Sequence, residues 1–310
     1  MKSFLKKLYY QYINKKYFML GMSHLNLMRP NYKNIVNLKD VEYKVFSQNG
    51  EDGILDYIIF QLCLNKPKFL EIGVGDYSES NTKFIFDRAS SKGMIIDYIE
   101  NFRKKVTQKT NVWKGQLEII NKQINSKNIL ETINSKNFFS DLDILSLDID
   151  GIDYWILNEF PKNFSKIVVV EYNSIFGNEK KITVPNIDKF YRTDYHYSNL
   201  CFGMSLPAAI EIMQNKNFYF LGVNLMRNNA FFVSNNFPKE KYFKNLEIEK
   251  LDKIEEANFQ ESRDQEGNLN FLNGDQRIKE IFDCDVINLD QDFRAKMKIG
   301  EIYKINDNAK

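Results

Sequence analysis

The stretch Asp141–Trp155, DLDILSLDIDGIDYW, sets an apolar run against a group of carboxylates. Ile144, Leu145, Ser146 and Leu147 have the composition of a buried strand, which stops at Asp148 with Asp150 and Asp153 close behind. Burying an unpaired carboxylate costs several kcal/mol. A strand that ends in acids therefore either opens into a site that uses them or runs into a solvated turn.

The same pattern recurs along the chain. KFLEIGVGDYSESN breaks at Gly73 and Gly75, MIIDYIEN ends on Glu100 and Asn101, and KIVVVEYN is apolar until Glu171. Helical patterns lie between these runs. Ile54, Leu55, Ile58, Ile59 and Leu62 form a stripe behind FSQNGEDG, with Asn49 as the expected N-cap, and GMSLPAAIEIMQNK carries Pro207 in its first turns. A short strand near residues 117–120 followed by a helix, and two late strands in FYFLGVNL and NAFFVSNN, complete the series. Alternating strands and helices predict a parallel α/β sheet. Consecutive apolar residues such as Val168, Val169 and Val170 suit strands covered on both faces. In such sheets ligands bind beyond the carboxyl ends of the strands, where the acids and glycines fall.

Composition bounds the rest. The 310 residues suffice for a core without covalent staples, and 43% hydrophobic with 27% charged residues is ordinary globular usage. A net charge of +2 gives no footprint for nucleic acid. Cys63, Cys201 and Cys284 lie far apart with no C-x-x-C pair, which reads as neither a disulfide framework nor a zinc site and suits a reducing compartment. No segment reaches the ~18 apolar residues of a membrane span. Residues 1–39 contain no acid, and Phe4, Leu5, Leu8, Tyr9, Tyr12, Ile13, Tyr17 and Leu20 recur at helical spacing beside lysines. That segment is either a helix on an anionic membrane surface or one docked on the domain or a partner. Polar residues within it break any signal-peptide core, so a cytoplasmic protein is expected, with peripheral contact at the inner membrane face through residues 1–40.

Glu71–Asp76, EIGVGD, follows a strand, and its glycines let a ligand approach the backbone. A dinucleotide fingerprint would need glycine where Ser78 stands. A ligand-free turn is the alternative. An acid ending the next strand, Glu100, could accept both ribose hydroxyls, which favours an adenosine-type ligand.

FSQNGEDGIL, FLEIGVGDYSESNT, LSLDIDGIDYWIL, VVVEYN and NNAFFVSNN, in this order, resemble FkbM-type proteins of the class I S-adenosylmethionine-dependent methyltransferases, in the subgroup with the DIDG-x-D-YW signature. The likeness covers roughly residues 43–236, and FQESRDQEGNLNFLNG has the look of the same subgroup. It implies a Rossmann-like, mostly parallel seven-stranded sheet with helices on both faces. It also implies a basic amphipathic extension over 1–42, the methyltransferase-like domain over 43–240, and a C-terminal extension over 241–310 packed on the same domain. The resemblance places S-adenosylmethionine against Gln48, Glu51, Asp52, Glu71, Gly73, Gly75, Asn81, Glu100, Asn101 and Asp148. Tyr77 stands where the commoner motif of that superfamily has its third glycine.

Asp148 and Asp150, two apart, would face one side if extended. Glu171 and Asn173 end the neighbouring strand, so the two ends could converge. By similarity to magnesium-dependent O-methyltransferases, Asp148, Glu171 and Asn173 form a candidate Mg²⁺ site of oxygen ligands. Direct acid–base work by Asp148, Asp150 or Glu171 is the rival. In the plainest reading Asp148 holds a backbone turn or the cofactor while Asp150 and Asp153 cap a helix. His196, in DYHYSN, is a further candidate base or a surface residue.

The expected activity is methyl transfer, to oxygen rather than nitrogen or carbon, on a sugar of a surface-glycan precursor or a small metabolite. A non-catalytic module recruited through its basic N-terminus is the alternative. A nicotinamide oxidoreductase is third, weakened by the missing glycine.

Overall fold

A computed structural model describes residues 2–135, 138, 140–257, 261–290 and 295–303, with side chains from residue 8 onward. The first half comprises α1 (Lys2–Met28), α2 (Glu51–Gln61), β1 (Phe69–Ile72), α3 (Lys83–Ala89), β2 (Lys92–Asp97), α4 (Phe102–Lys109), β3 (Gln116–Asn121), α5 (Ile129–Asn134) and β4 (Ile144–Leu147). Then come α6 (Asp153–Glu159), β5 (Ile167–Glu171), β6 (Ile182–Thr183), α7 (Arg192–Tyr195), α8 (Leu206–Asn215), β7 (Phe218–Val223) and β8 (Asn229–Ser234). The last segment contributes α9 (Lys239–Tyr242), α10 (Asp275–Glu280), β9 (Asp285–Asn288), β10 (Ala295–Lys298) and α11 (Ile299–Tyr303).

Seven strands form one sheet in the order β3-β2-β1-β4-β5-β8-β7. The first five run parallel, and β8 is antiparallel to both β5 and β7. This is the Rossmann-like α/β sheet that the alternation and the resemblance implied. Successive strand residues point to opposite faces. Leu70, Ile72, Leu145, Leu147, Val168 and Val170 therefore enter one core layer with α6 and α8. Phe69, Ile95, Ile144, Ile167 and Val169 enter the other with α2. Both faces are covered, as the unbroken apolar strands require.

The C-terminal segment is continuous with the first layer through Ile281, Cys284, Val286, Ile299 and Ile302. Its β9 and β10 join β6 in a small antiparallel sheet.

Helix α1 docks on the domain, although not with the stripe read from the sequence. Leu8, Tyr9, Tyr12, Tyr17 and Leu20 are exposed, whereas Gly21 and Leu25 are buried and Ile13, Phe18 and Met22 half-buried. The docking face is set by small and aromatic residues one turn away. A Cβ on Gly21 would lie 2.6 Å from Val45, and Phe18 meets the Phe84 ring edge-on at 6.1 Å. Phe4 and Leu5 lie outside the described side chains. Among the described residues no helix is long and apolar enough to cross a membrane.

Candidate functional site

At the carboxyl ends of β1, β2 and β4 lies a cavity of about 440 Å³, within the range of small-molecule sites. One wall is the turn after β1. Gly73 has φ +82°, and a Cβ there would sit 1.5 Å from the Asp148 carbonyl oxygen. Glycine is required because the turns after β1 and β4 cross at this point. Gly75 has φ +55° with nothing within 4 Å of its Cβ position, so its backbone faces open space. Tyr77, at the place of the third glycine, also has positive φ (62°), but its ring is buried and its hydroxyl meets Thr82 Oγ1 at 3.1 Å. The tyrosine anchors the far side of the turn in the core.

Glu71 reaches the cavity wall from β1 and is fully engaged. It accepts hydrogen bonds from Ser80 Oγ (2.5 Å), the Asn81 N–H (2.9 Å), and both the Thr82 N–H (3.1 Å) and hydroxyl. Burial still raises its carboxyl above the usual range. Asn81 also lines the cavity and donates its amide to Ser146 at 3.1 Å.

The strand-ending acid differs from the one expected. β2 stops at Asp97, and Glu100 is exposed, accepting from its neighbour Asn101 at 3.0 Å. Neither Glu100 nor Asn101 lines the cavity, and Asp97 does. The Asp97 carboxylate accepts the N–H groups of Gly75 (2.8 Å), Tyr98 (2.7 Å) and Ile99 (3.1 Å), tying the glycine turn to the end of β2. Burial raises its carboxyl as well. Two acids three residues apart competed for this role, and backbone capping selected the first.

Gln48 lines the cavity, but Glu51 and Asp52 do not. Asp52 is buried beneath the preceding loop, accepting Val45, Phe46 and Ser47 N–H groups at 2.7–2.8 Å. Its carboxyl is pushed up to about 6 by burial. Asn49 does not cap α2, whose N-cap is Gly50. Instead Glu51 accepts the Asn49 and Gly50 N–H groups and the side-chain amides of Asn224 and Asn229. Asn229, opposite Glu171 across the sheet, brings a buried amide oxygen without a partner to the cavity wall.

Asp148, Asp150 and Glu171 converge, each with one carboxylate oxygen within 4.8 Å of the others. They do so without extended backbone, since Asp150 has φ +54°. The Asp148 and Glu171 carboxyls face each other. Burial, then the charges of neighbouring carboxylates, pushes both well above the ordinary carboxylate range. Two adjacent carboxyls in low dielectric resist double ionisation. Glu171 Oε2 is buried and unpartnered. Arg192, from α7, forms an ion pair with Asp150, and its guanidinium stacks 4.5 Å from the Phe202 ring centre. A second cavity of about 380 Å³ adjoins here, walled by Tyr98, Phe190 and Tyr191 with Asp150, Arg192, Thr193, Asn199 and Glu261.

Asp153 starts a helix as expected, while Asn173, Asp150 and His196 are engaged differently from expectation at this end. Asn173 is committed to the backbone: its amide donates to the Leu200 and Phe202 carbonyls (2.8 and 3.0 Å) and its oxygen accepts the Ile175 N–H, while Asp150 joins Asp148 and Glu171 in the acidic group. Asp153 begins α6, but its carboxylate reaches back to the Ile149 and Gly151 N–H groups (3.0 Å each), shaping the turn that presents Asp150. Asp150 itself caps no helix. His196 is buried and lines neither cavity, with Nε2 facing Asp283 at 3.4 Å. It cannot act on a molecule in the cavity. Arg192, Asp97 and Asn229 escaped sequence reasoning, because only contacts across the fold bring them to the site.

No known family pattern matches the chain, and no curated protein matches it in sequence. Among solved structures it is similar to the pyocyanin biosynthetic protein PhzM, at 14% identity and TM-score 0.34, over 57% of this chain and 53% of that one. The small RNA methyltransferase HEN1 matches at 10% identity and TM-score 0.34, over 57% of this chain and 24% of its own. A protein from Galdieria sulphuraria described as a candidate sarcosine dimethylglycine methyltransferase matches at 10% identity and TM-score 0.34, over 60% and 70%. The chain thus spans about half and a quarter of the first two. Overlaps of this size decide neither cofactor nor reaction.

Proposed function

We propose that the protein is an S-adenosylmethionine-dependent methyltransferase acting on a hydroxyl of a sugar or small metabolite. The observation that carries this reading is one cavity with a close-approach glycine turn and strand-ending acid on one wall and the acids Asp148 and Asp150 on another. When bound, the cofactor supplies an electrophilic methyl group. Gly73 and Gly75 leave the room and the backbone conformation its binding needs, Asp97 offers its remaining lone pairs to ribose hydroxyls, and the free Asn229 amide oxygen accepts a further donor.

Opposite them, Asp148, which lines the cavity with Glu171 close beside it, takes the proton of the acceptor hydroxyl. A carboxyl with raised proton affinity is a better base than an ordinary one. Arg192 holds Asp150 and limits the negative charge nearby. Aromatic walls at Tyr98, Phe190 and Tyr191, with polar groups between them, support a sugar-like acceptor in the adjoining cavity. The oxygen set of Asp148, Asp150 and Glu171 suits Mg²⁺ in ligand type; turnover that survives exhaustive chelation would leave the base role to the carboxylates alone.

Calorimetry with S-adenosylmethionine, S-adenosylhomocysteine and NAD tests the reading. Both sulfur ligands are expected to bind. Asp97→Ala should weaken binding about 10- to 100-fold, the worth of a charge-assisted hydrogen bond, with Glu100→Ala unchanged. Absence of sulfur-ligand binding would favour the non-catalytic module, and NAD binding the oxidoreductase.

The exposed apolar row of α1, beside lysines, supports peripheral contact with anionic lipid. More full-length protein than a chain lacking residues 1–28 should sediment with phosphatidylserine vesicles, and added salt should release it. Equal sedimentation of the two would remove the membrane role.

A further inference from the structure

Away from the acid cluster, a second group of chemically active side chains gathers where the C-terminal segment meets the loop after α7. His196, Asp283 and Cys284 each bring one ligand atom within 4.8 Å of the others. The Cys201 thiol, fully buried, adjoins that of Cys284. His196 is 8% exposed, and its buried Nε2 makes no hydrogen bond but lies 3.4 Å from the Asp283 carboxylate. Its other ring nitrogen lies 2.7 Å from Ser198 Oγ. Asp283 is largely exposed and gives the group an opening to solvent.

We infer that His196, Asp283 and Cys284 form a binding site for a borderline-soft divalent cation, Zn²⁺ in first place, with the fourth position left to water. One imidazole, one thiol and one carboxylate are donor types such an ion takes in four-coordinate sites. An imidazole ligand through Nε2 must carry its proton on Nδ1, and Ser198 Oγ stands ready to accept it. That hydroxyl oxygen has a second lone pair for the Leu200 N–H at 3.3 Å. In the other tautomer Nδ1 would accept the Ser198 N–H at 3.3 Å, so what occupies Nε2 sets the ring. The thiol releases one proton to solvent on binding, and uptake is accordingly stronger at higher pH.

The site would fasten two parts of the chain that the active-site side depends on. Tyr195 already donates to the Asp285 carbonyl (2.6 Å) and Tyr197 to Glu280 (2.7 Å) across the same seam. The loop behind His196 supplies the carbonyls of Leu200 and Phe202 that hold Asn173, two residues after Glu171. Arg192 lies on the preceding helix. A cation here is structural: it touches no molecule in either cavity, and its effect on the acid cluster runs through this loop.

The test titrates Co²⁺ and Zn²⁺ into the reduced, metal-stripped full chain. One equivalent of Co²⁺ is expected, with thiolate charge-transfer absorption and the visible bands of tetrahedral cobalt, both erased by Zn²⁺. Thermal stability should rise with added Zn²⁺. Asp283→Asn, at an exposed position, should weaken affinity about tenfold or more while leaving the far-ultraviolet circular dichroism unchanged. Cys284→Ser should remove the charge-transfer band in large part, and Cys63→Ser should leave it intact. Absence of a thiolate–cobalt band in the reduced wild-type chain overturns the site. A band that survives Cys201→Ser and Cys284→Ser together does so as well. A Cys201–Cys284 disulfide in the native protein, with no cation bound after its reduction, also overturns the site and makes the pair a redox crosslink.

Discussion

Gly73→Ala is expected to cost the protein both stability and ligand binding. The new Cβ would fall 1.5 Å from the Asp148 carbonyl oxygen, a backbone atom in the turn after β4 that cannot swing aside. The residue would also be held at φ +82°, where alanine is strained. Overpacking and left-handed strain together imply a loss of ~2 kcal/mol or more, read as a lowered Tm. Any folded fraction would have displaced Asp148, so S-adenosylhomocysteine binding should disappear. Gly75→Ala provides the contrast. Its Cβ meets nothing within 4 Å, so strain at φ +55° should cost only about 1–2 kcal/mol, while the methyl group enters the space proposed for the cofactor. A Gly73→Ala protein with wild-type Tm and binding would refute this account of the crossing turns.

Asp148→Asn should do the opposite to stability while removing activity. Asp148 and Glu171 titrate well above the ordinary carboxylate value in the folded chain because they are buried beside other acids. The folded state therefore holds protons that the unfolded chain has released above pH ~4. Stability conferred in mild acid is consequently lost as pH rises toward the folded values. Asp52 and Asp153, each pushed up to about 6 by burial, add a loss of the same sign between pH ~4 and 6. Wild-type Tm should thus be higher near pH 5 than at pH 8. The amide of the variant cannot ionise, so Asp148→Asn should gain ~1–2 kcal/mol on wild type at pH 8, and the gain should vanish near pH 4. Turnover should fall 10²- to 10⁴-fold, the usual reach of a general base, with S-adenosylhomocysteine affinity nearly unchanged. A variant less stable than wild type at pH 8 would show that the carboxylate, not its proton, holds the two strand ends together.

Both predictions concern residues that were legible in the chain, Gly73 and Asp148. Other assignments there were decided by atoms far away in sequence. Asp97 displaces Glu100 because its carboxylate collects the Gly75 N–H from the neighbouring strand turn, 22 residues back. Asn173 is committed to the backbone because its amide is spent on carbonyls 27 and 29 residues ahead. His196 turns from the cavities toward Asp283, and Arg192 reaches Asp150 across 42 residues. For α1, helicity followed from local propensity, but the face that docks was chosen by Val45 and Phe84.

By itself the sequence determined the alternation of strands and helices, the burial of the strands on both faces, and the edge where acids and glycines collect. Those are consequences of local periodicity and backbone freedom, which each segment carries with it. Only the tertiary structure decided which acid ends β2, which carboxylates adjoin one another, and which side chains the site leaves out. It also brought together Cys201 and Cys284, which the spacing of cysteines had kept apart. These are matters of distance and burial between segments, and they exist only once the sheet order has placed the strand ends side by side.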